Sequence, residues 1–346
     1  MKKLISIILF FVFTLTANAA DYYIATAANG GSNGNNGSIG SPWLTLTYAC
    51  AHATTSGDII HVTAGTYTET AQSLLAIGVS IVGEGVTSII NSTVAGTAYT
   101  IRAYSSPVAN GNQSISYIKM TGSNYVAYGA IQIYQRSNVS VHHCTFENFG
   151  YYGVDFMVWH ADSYTAPVTL ATGNTFYDNI LTNCGSYKPG DSKSAIHMEG
   201  QDGLLIYNNN VLIDYPDHEN GNPIGAVAGY NRNVKIYNNV LDKVFVAGTT
   251  NWDFAIEMWS CKGGVEIYNN TIWGGIDIGG RINEKGSSTY SVWVHDNDIA
   301  LHAMSTSESK EEWLLRVRVK MLLLREIPSL TSQMEYIAHR YRPLLM

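Results

Sequence analysis

Short segments in which apolar and polar residues alternate recur along this chain. The clearest copies begin at Leu204, Val234, Val265 and Val292, about 27 to 31 residues apart, and each continues through a polar turn into a second short apolar segment. Alternation with a period of two is typical of strands, because successive side chains of a strand point to opposite faces. The pattern therefore predicts several short strands and no helix in each repeat.

A second repeat lies about ten residues upstream of the first. Its copies are Ala130-Ile-Gln-Ile, Gly153-Val-Asp-Phe, Ala195-Ile-His-Met, Gly225-Ala-Val-Ala, Ala255-Ile-Glu-Met and Gly275-Ile-Asp-Ile. A short strand buries too little apolar surface to be stable alone, whereas successive turns that stack in parallel share one continuous core. The two repeats together predict an all-β fold, a parallel β-helix.

An asparagine recurs where the strand-turn segments close. The residues predicted to share this repeat position are Asn174, Asn209, Asn239, Asn270 and Asn297, with Cys144 in an earlier turn. Asparagine tolerates left-handed backbone conformations, and its amide both donates and accepts hydrogen bonds. The regular spacing favours a structural asparagine ladder, and the alternative is that these residues bind ligands or carry glycans.

The region before the repeats is the most distinctive part of the sequence. It contains Tyr22-Tyr-Ile-Ala, Asn29-Gly-Gly-Ser-Asn, Ser41-Pro-Trp-Leu-Thr and a strand-rich segment from Ser56 to Glu69. The residues from Thr45 to Thr55 predict a short amphipathic helix. Together with Trp43 and Tyr48, this helix would cover the open end of the stack, whose edge strands would otherwise invite pairing.

These features resemble the pectate-lyase-like right-handed parallel β-helix family, whose repeats combine a Gly-Ile-x-apolar strand with an Asn-x-apolar turn. The resemblance extends over roughly residues 22 to 300. It implies a right-handed coil whose first sheet forms a substrate cleft on its outer face, in a family that includes polyuronate lyases and hydrolases. One departure concerns the Gly-rich loop, where this chain has Asn33 or Asn35 and family members often have Asp, which argues against a cation site there.

The N-terminus differs from the repeats. Two lysines precede an apolar run from Leu4 to Leu15 and an Ala-x-Ala site, which is typical of a signal peptide over residues 1–20. The alternative is a membrane anchor, but a spanning helix needs about 20 apolar residues, and no later segment meets that requirement. The sequence therefore predicts a secreted or cell-surface protein with no transmembrane span after cleavage and a β-helix domain at 21–303.

The C-terminal segment 304–346 also differs from the repeats. It lacks Gly, Asn and Asp, and it holds seven of the chain's 20 Lys and Arg residues. The part from Glu308 to Glu326 predicts a helix. This tail is either a C-terminal cap that packs Trp313 on the last turn or an out-of-frame end that truncates a longer β-helix, and the abrupt end of the repeat favours the second interpretation.

The charge balance narrows the choice of ligand. Only 14% of the residues are charged, and the region from Asp21 to Ala303 carries 22 Asp and Glu against 11 Lys and Arg. Nucleic acid is excluded as a partner, because phosphate binding needs a basic surface. An acidic polymer could bind only where a cation or a local Arg or Lys offsets the repulsion.

The upstream strand of each repeat carries polar residues between its apolar ones. Because the flanking apolar side chains point inward, the residue between them points outward. These outward residues are Gln132, Asp155, His197, Glu257 and Asp277, while the intervening repeat offers only Val227 or Ala228. Two positions further on, the same face carries Tyr134, Met157, Glu199 and Trp259. We expect these side chains to project in register from one side of the coil.

Two clusters on this face have catalytic potential. Parallel strands lie about 4.8 Å apart, which would place Glu257 and Asp277 as a close carboxylate pair that binds Ca²⁺ or acts as acid and base in glycoside hydrolysis. Asp155, His197 and Glu199 form the second cluster, in which His197 could act as a base. Both have a plain alternative, since acidic residues are mostly exposed and His197 could be an ordinary surface residue.

Other residues are predicted to contact the substrate. Arg281, which is also a catalytic candidate, and Lys262 follow the acidic strands and could neutralise a uronate carboxylate. Trp159 and Trp259 could stack on sugar rings, and Gln132 and Tyr134 are predicted to bind on the same face.

The sequence thus predicts a secreted carbohydrate-active protein, a polysaccharide lyase or glycoside hydrolase whose substrate can include uronates. The alternatives are a non-catalytic glycan-binding or surface-adhesion solenoid and a truncated, inactive fragment.

Overall fold

A computed structural model of the protein describes residues 18–159, 167–185, 193–214, 221–226, 229–244, 254–279, 289–300, 316–319 and 322–327. Over these residues the chain winds into a coil of short strands, and strands of successive turns pair in parallel. The structure consists mostly of strands in parallel sheets that curl into a solenoid, which confirms the predicted β-helix.

Three faces run along the coil, and two long strands, Tyr99–Ser116 and Gly129–His142, bend from the first face into the second. The other strands of the first face are Ser73–Leu74, Tyr152–Met157, Ser194–Glu199, Asn222–Ala226, Phe254–Trp259 and Gly275–Gly279. Those of the second face are Asp21–Ile24, Ile59–Val62, Ser80–Gly83, Thr175–Tyr177, Leu205–Tyr207, Lys235–Tyr237, Lys262–Tyr268 and Thr289–His295. Those of the third face are Gly65–Glu69, Ser88–Ser92, Lys119–Thr121, Thr145–Glu147, Ile180–Thr182, Asn210–Ile213, Val240–Lys243, Thr271–Trp273 and Asn297–Ala300. Shorter elements are the paired strands Ala171–Thr172 and Gln201–Asp202 and the 3-10 helices Ala27–Asn29 and Gly85–Thr87.

Inward-pointing aliphatic side chains form one continuous core. On the first face, Ile131, Val154, Ile196, Ile224 and Ile256 follow one another in register, and each is fully buried. Each side chain packs on its equivalent in the next turn. Stacking therefore removes from water the apolar surface that a single turn would leave exposed.

A buried asparagine ladder follows the turn between the second and third faces. Its members are Asn179, Asn209, Asn239, Asn270 and Asn297. Each side-chain amide donates to the carboxamide oxygen of the next member at 2.9 to 3.0 Å, and the same oxygen accepts the backbone N–H of the preceding member. Cys144 continues the row in the preceding turn, where its N–H donates to Asn179 at 2.9 Å.

The prediction that Asn174 belongs to this ladder is wrong. Ile180 pairs with Asn210, so Asn179 and not Asn174 is equivalent to Asn209. Asn174 lies in a different turn, between the first and second faces, and donates to Gln201 at 2.9 Å. The left-handed conformation is also found one position earlier than expected, for example at Asn208 with φ 56°.

Aromatic rings stack on the outside of the second face, beside the ladder. Tyr177, Tyr207, Tyr237 and Tyr268 form a row with ring centroids 4.8 to 5.0 Å apart and planes within 7° of parallel. His142 and His295 extend this row at its two ends. The ring spacing matches the distance between strands, so the stack supports the same register as the ladder.

A short helix at Leu46–His52 covers the N-terminal end of the coil, inside the region predicted as helical. Thr45 caps it by accepting the N–H of Tyr48 at 3.2 Å, and the Glu69 carboxylate accepts the N–H of Leu46 at 2.7 Å. Trp43 is buried beside the helix. This arrangement shields the edge of the first turn from other strands.

The predicted helix from Glu308 to Glu326 is wrong for the part that the structure describes. Residues Arg316–Val319 and Leu322–Ile327 are strands, which pair antiparallel with Asn297–Ala300 and Thr289–His295. Residues Arg316–Val319 alternate between basic and apolar side chains, and Leu322–Ile327 begins with three leucines. Both patterns suit a strand better than a helix with one polar face. The last parallel turn leaves its edge unpaired, and these strands cover it. The rest of the tail lies outside the described residues.

The four cysteines, Cys50, Cys144, Cys184 and Cys261, are buried and form no disulfide. They lie far apart in the sequence, without a Cys-x-x-Cys pair, as is typical of free thiols. Burial raises the pKa of the Cys144, Cys184 and Cys261 thiols to about 12. They are therefore protonated and unreactive core residues.

Among the described residues, no helix is both long enough and apolar enough to cross a membrane. The predicted signal peptide falls almost entirely on residues 1–17, which lie outside the described part of the chain.

The ladder makes a testable contribution to stability. Replacing Asn239 by Ala removes a carboxamide that accepts from Asn209 and donates to Asn270, and it leaves several buried polar groups unpaired. An unpaired buried group costs about 1–3 kcal/mol, so we expect the free energy of unfolding in urea to fall by at least about 2 kcal/mol. Asn210→Ala, at an exposed position of the adjacent turn, is the control and should change it little. Equal effects of the two substitutions would contradict the structural role of the ladder.

Candidate functional site

Outward side chains of the first face form a row that we call the central column. It consists of Arg102, Gln132, Asp155, His197, Gly225, Glu257 and Asp277, each paired in register with the next. All five residues predicted to share an outward position lie in it. Strand pairing therefore brings together side chains that are up to 175 positions apart in the sequence.

The residue predicted for the intervening turn is wrong. Gly225, and not Val227 or Ala228, pairs with both His197 and Glu257. The residues from Gly225 to Gly229 are all small or apolar and show no clear alternation. The sequence pattern therefore predicts an outward residue at least two positions too late. A Cβ atom at Gly225 would lie 2.0 Å from the Ser194 hydroxyl, so a larger residue here would require that hydroxyl to move.

A second row, the flanking column, lies two positions further along the same strands. Its members Tyr104, Tyr134, Met157 and Glu199 are paired in register, and Trp259 occupies the equivalent position of a later turn. Trp159 lies just beyond the end of its strand, with 57% of its surface exposed. The predicted residues Tyr134, Glu199 and Trp259 are therefore neighbours of the central column.

The outward side chains at the middle of the column are not exposed. Asp155 and His197 are only 2% and 4% exposed, although both point away from the core. Two tyrosines enclose them: the ring of Tyr152, from the strand of Asp155, lies 4.8 Å from the His197 imidazole, and Tyr99, from two turns earlier, stacks parallel to Tyr152. This burial contradicts the interpretation of His197 as an ordinary exposed residue.

Asp155 is the centre of a hydrogen-bond network. Its Oδ2 accepts from the Tyr99 hydroxyl at 2.7 Å and from the Gln132 side-chain amide at 2.8 Å, while its Oδ1 lies 2.8 Å from His197 Nδ1. A carboxyl group that is almost fully buried needs hydrogen-bond partners in place of the water it has lost. Three donors take the place of that water here and fix the direction of the carboxylate.

The contact with Asp155 defines the state of His197. Nδ1 must carry a proton to donate to Asp155, so Nε2 is the nitrogen that can gain or lose one. Nε2 is shielded from solvent and has no hydrogen-bond partner among the described residues, although the Glu199 carboxylate lies 3.5 Å away. A buried polar atom without a hydrogen bond is rare and costly, which makes Nε2 a candidate for a functional atom.

Opposing effects set the pKa of His197. Burial is the largest and lowers it, but the hydrogen bond and charge of Asp155, with the charges of Glu199 and Glu257, outweigh burial, so the pKa is raised above its ordinary value. The imidazole of His197 therefore binds its second proton more tightly than the imidazole of a free histidine does. A group with this behaviour in an enclosed site is suited to proton transfer near neutral pH.

The predicted carboxylate pair lies in adjacent turns, and each member has its own neutral partner. Glu257 Oε2 accepts from the Asn222 side chain at 2.7 Å, and Asn222 in turn accepts from the buried Lys243 ammonium at 3.0 Å. Asp277 Oδ2 accepts from the Trp259 indole N–H at 2.6 Å. Burial raises the pKa of Asp277 despite this hydrogen bond. The two carboxyl groups are therefore in different environments.

Two predicted cationic residues are not placed in the column. Lys262 lies at the corner that follows the Glu257 strand, with its ammonium 5.2 Å above the Tyr230 ring, and Arg281 lies outside the described residues. In the described part of the chain, no group of three or more His, Cys, Asp or Glu side chains is arranged to hold a metal. The Ca²⁺ site expected at Glu257 and Asp277 stays a prediction.

Several site residues were not predicted from the sequence. Arg102 could have been found, because Thr100-Ile-Arg-Ala-Tyr104 matches Ala130-Ile-Gln-Ile-Tyr134. Tyr99, Tyr152 and Asn222 precede the alternating part of their strands. Only the assembled coil shows that they reach the column.

Comparisons with known proteins show the fold of this chain. No protein-family model matches it, and no curated protein does. Among solved structures, the lacto-N-biosidase from Eubacterium ramulus superimposes with a TM-score of 0.54 at 12% identity, over 82% of this chain and 64% of that one. The alginate lyase from Paenibacillus sp. strain FPU-7 superimposes with a TM-score of 0.50 at 16% identity, over 73% of this chain and 76% of that one.

The structural neighbours are pectate-lyase-like parallel β-helix proteins, which confirms the resemblance at the level of fold. This chain spans just under two thirds of the lacto-N-biosidase chain. At such low identity the similarity carries over the fold and not the activity.

The raised pKa of His197 predicts how stability depends on pH. A histidine whose pKa is raised in the folded state stabilises the fold fully below its unfolded pKa of about 6.5, and this contribution is lost as the pH rises through the folded pKa. We expect the stability advantage of the wild type over His197→Gln to be constant in acid and to shrink as the pH rises above about 6.5. Urea unfolding at a series of pH values measures it, with His61→Gln on the second face as the control. An advantage that grows with pH would contradict the assignment.

Proposed function

We propose that this protein cleaves a polysaccharide along the first face, with His197 as the proton-transferring residue and Asp155 as the residue that positions it. The observation that carries the proposal is the imidazole itself. One of its nitrogens is fixed by Asp155, and the other is enclosed without a hydrogen-bond partner among the described residues. Such a carboxylate–imidazole pair holds one tautomer and orientation, as general acid–base catalysis requires.

The arrangement favours a polysaccharide lyase. A lyase removes the proton next to a uronate carboxylate, and the electron pair then forms a double bond as the glycosidic oxygen leaves and takes up a proton from the imidazolium or from water. Neutral His197 can accept that proton at Nε2 while Asp155 stabilises the resulting imidazolium. The alginate lyase among the structural neighbours supports this reaction class on a similar fold.

A glycoside hydrolase is the second candidate, supported by a different pair of residues. Asp277, whose pKa is raised by burial, could act as the acid, and Glu257 in the adjacent turn could act as the base or nucleophile. Two carboxyl groups in different environments are the usual requirement for this reaction. One of the structural neighbours is named as a glycoside hydrolase, a lacto-N-biosidase, which supports this reaction class on a similar fold.

The lyase proposal predicts the effect of two substitutions. Loss of a general acid or base lowers the rate about 10²- to 10⁴-fold, so we expect His197→Ala to lower kcat by this factor and Asp155→Asn to lower it by a similar or smaller one. A panel of uronate-containing and neutral polysaccharides is assayed for unsaturated ends by ultraviolet absorbance and for reducing ends. The wild-type rate should rise with pH through the raised pKa of His197, because the base must be neutral. His61→Gln is the matched control.

Other outcomes of the same assay overturn this proposal in favour of a named alternative. Reducing ends without unsaturation, lost in Asp277→Asn and kept in His197→Ala, would identify a hydrolase that uses the carboxylate pair. Glycan binding without turnover would identify a binding or adhesion module. Export of the protein, which its N-terminal sequence predicts, would place either activity outside the cell.

Calcium binding at Glu257 and Asp277 is a separate proposal. Carboxylate oxygens suit Ca²⁺, which takes six to eight oxygen ligands, but one oxygen of each carboxylate already accepts a hydrogen bond. Calorimetric titration of the metal-free protein with Ca²⁺ should show saturable binding that Asp277→Asn abolishes. Binding that persists in this variant, or no binding at all, would remove the site from these residues.

A further inference from the structure

Arg102 stands at the N-terminal end of the central column, one turn before Gln132. Its guanidinium carbon lies 4.8 Å from the centre of the Tyr104 ring and 5.0 Å from that of Tyr134. The two rings stack on each other with centroids 5.5 Å apart. Contacts of this kind between a guanidinium and aromatic faces hold the planar cation in one orientation.

The guanidinium has no anionic partner in the described part of the chain. No described carboxylate pairs with it, and its Nε is shielded from solvent without a hydrogen-bond partner. Two other arginines differ in this respect: Arg136 donates to backbone carbonyls inside the coil, and Arg232 pairs with Asp202 at 2.8 Å. Arg102 is therefore an oriented cation with free donors on a face that is otherwise acidic.

We propose that Arg102, Tyr104 and Tyr134 form a subsite for an anionic group on the glycan, either a uronate carboxylate or a sulfate ester. The forked donors of Arg102 match two oxygens of such a group. Tyr104, which is 45% exposed, offers an apolar surface to the attached sugar ring.

Position in the column separates this subsite from the reaction centre. Three strand spacings lie between Arg102 and His197, which is roughly 14 Å. Arg102 therefore cannot neutralise the sugar that reacts. It holds a charged sugar further along the chain, so it selects for charged polysaccharides and for oligosaccharides long enough to span both positions. This selection rests on the proposed cleavage at His197, whereas the binding itself does not.

Binding to the His197→Ala protein tests the subsite without turnover. The probes are a uronate oligosaccharide, a sulfated galactan oligosaccharide and a neutral glucan oligosaccharide of equal length, titrated in a calorimeter. Adding Arg102→Ala should weaken the binding of one or both anionic probes about 10- to 100-fold, because a charge-assisted hydrogen bond contributes about that much to affinity. The binding of the neutral probe should not change. The probe that loses affinity identifies the carboxylate or the sulfate. Arg102→Lys, which keeps the charge without the fork, should fall between the two.

Arg232→Ala is the matched control, since it removes the same charge from an exposed ion pair away from this face. Thermal melting of each variant checks that it is folded. The subsite is overturned if Arg102→Ala weakens all probes equally or none, or if no anionic probe binds the parent protein. If the wild-type protein cleaves none of the polysaccharides while Arg102→Ala still loses affinity for an anionic probe, the subsite is supported and the enzyme is rejected, so the two proposals fail separately.

Discussion

Register between successive turns is the constraint on which the rest of this molecule depends. Asp155 and His197 come from positions 42 apart and meet only because their strands pair without a slip. A slip of one residue would turn every outward side chain of a strand into the core. The buried asparagines between the second and third faces oppose such a slip, because each satisfies both its own turn and the next one. The chemistry of the first face is thus fixed by hydrogen bonds on the opposite side of the coil.

The period-two pattern was sufficient to predict the fold and the outward positions of the first face. It was insufficient where side chains carry little pattern, as at Gly225, where small residues on both sides hide the register. The sequence does not distinguish Asn174 from Asn179, because the two asparagines flank the same short strand, Thr175–Tyr177. The tail was misassigned because a run such as Leu322-Leu-Leu gives no period, and the choice of strand depends on an unpaired edge that only the assembled coil presents.

The burial of the site could not be predicted at all. Sequence alternation tells which side of a strand a residue occupies, and it does not tell what lies above that side. Tyr99 comes from an earlier turn and Tyr152 from the strand of Asp155 itself, and their rings cover Asp155 and His197. Their cover changes the electrostatics, since desolvation and a close carboxylate act on the same imidazole in opposite directions. Structural neighbours with this fold bear the names of different activities, so the fold alone does not define the function.

A coil in which each turn touches only its neighbours also sets how such a protein can diversify. Duplicating one whole repeat beyond Asp277, or deleting one before Gln132, would lengthen or shorten the groove by a single strand spacing and leave Asp155 and His197 in contact. Inserting a whole repeat between residues 155 and 197 has the opposite effect, because it separates the two halves of the pair. Adding or removing outer turns would thus change the length of the first face, whereas the number of central turns cannot change without separating Asp155 from His197.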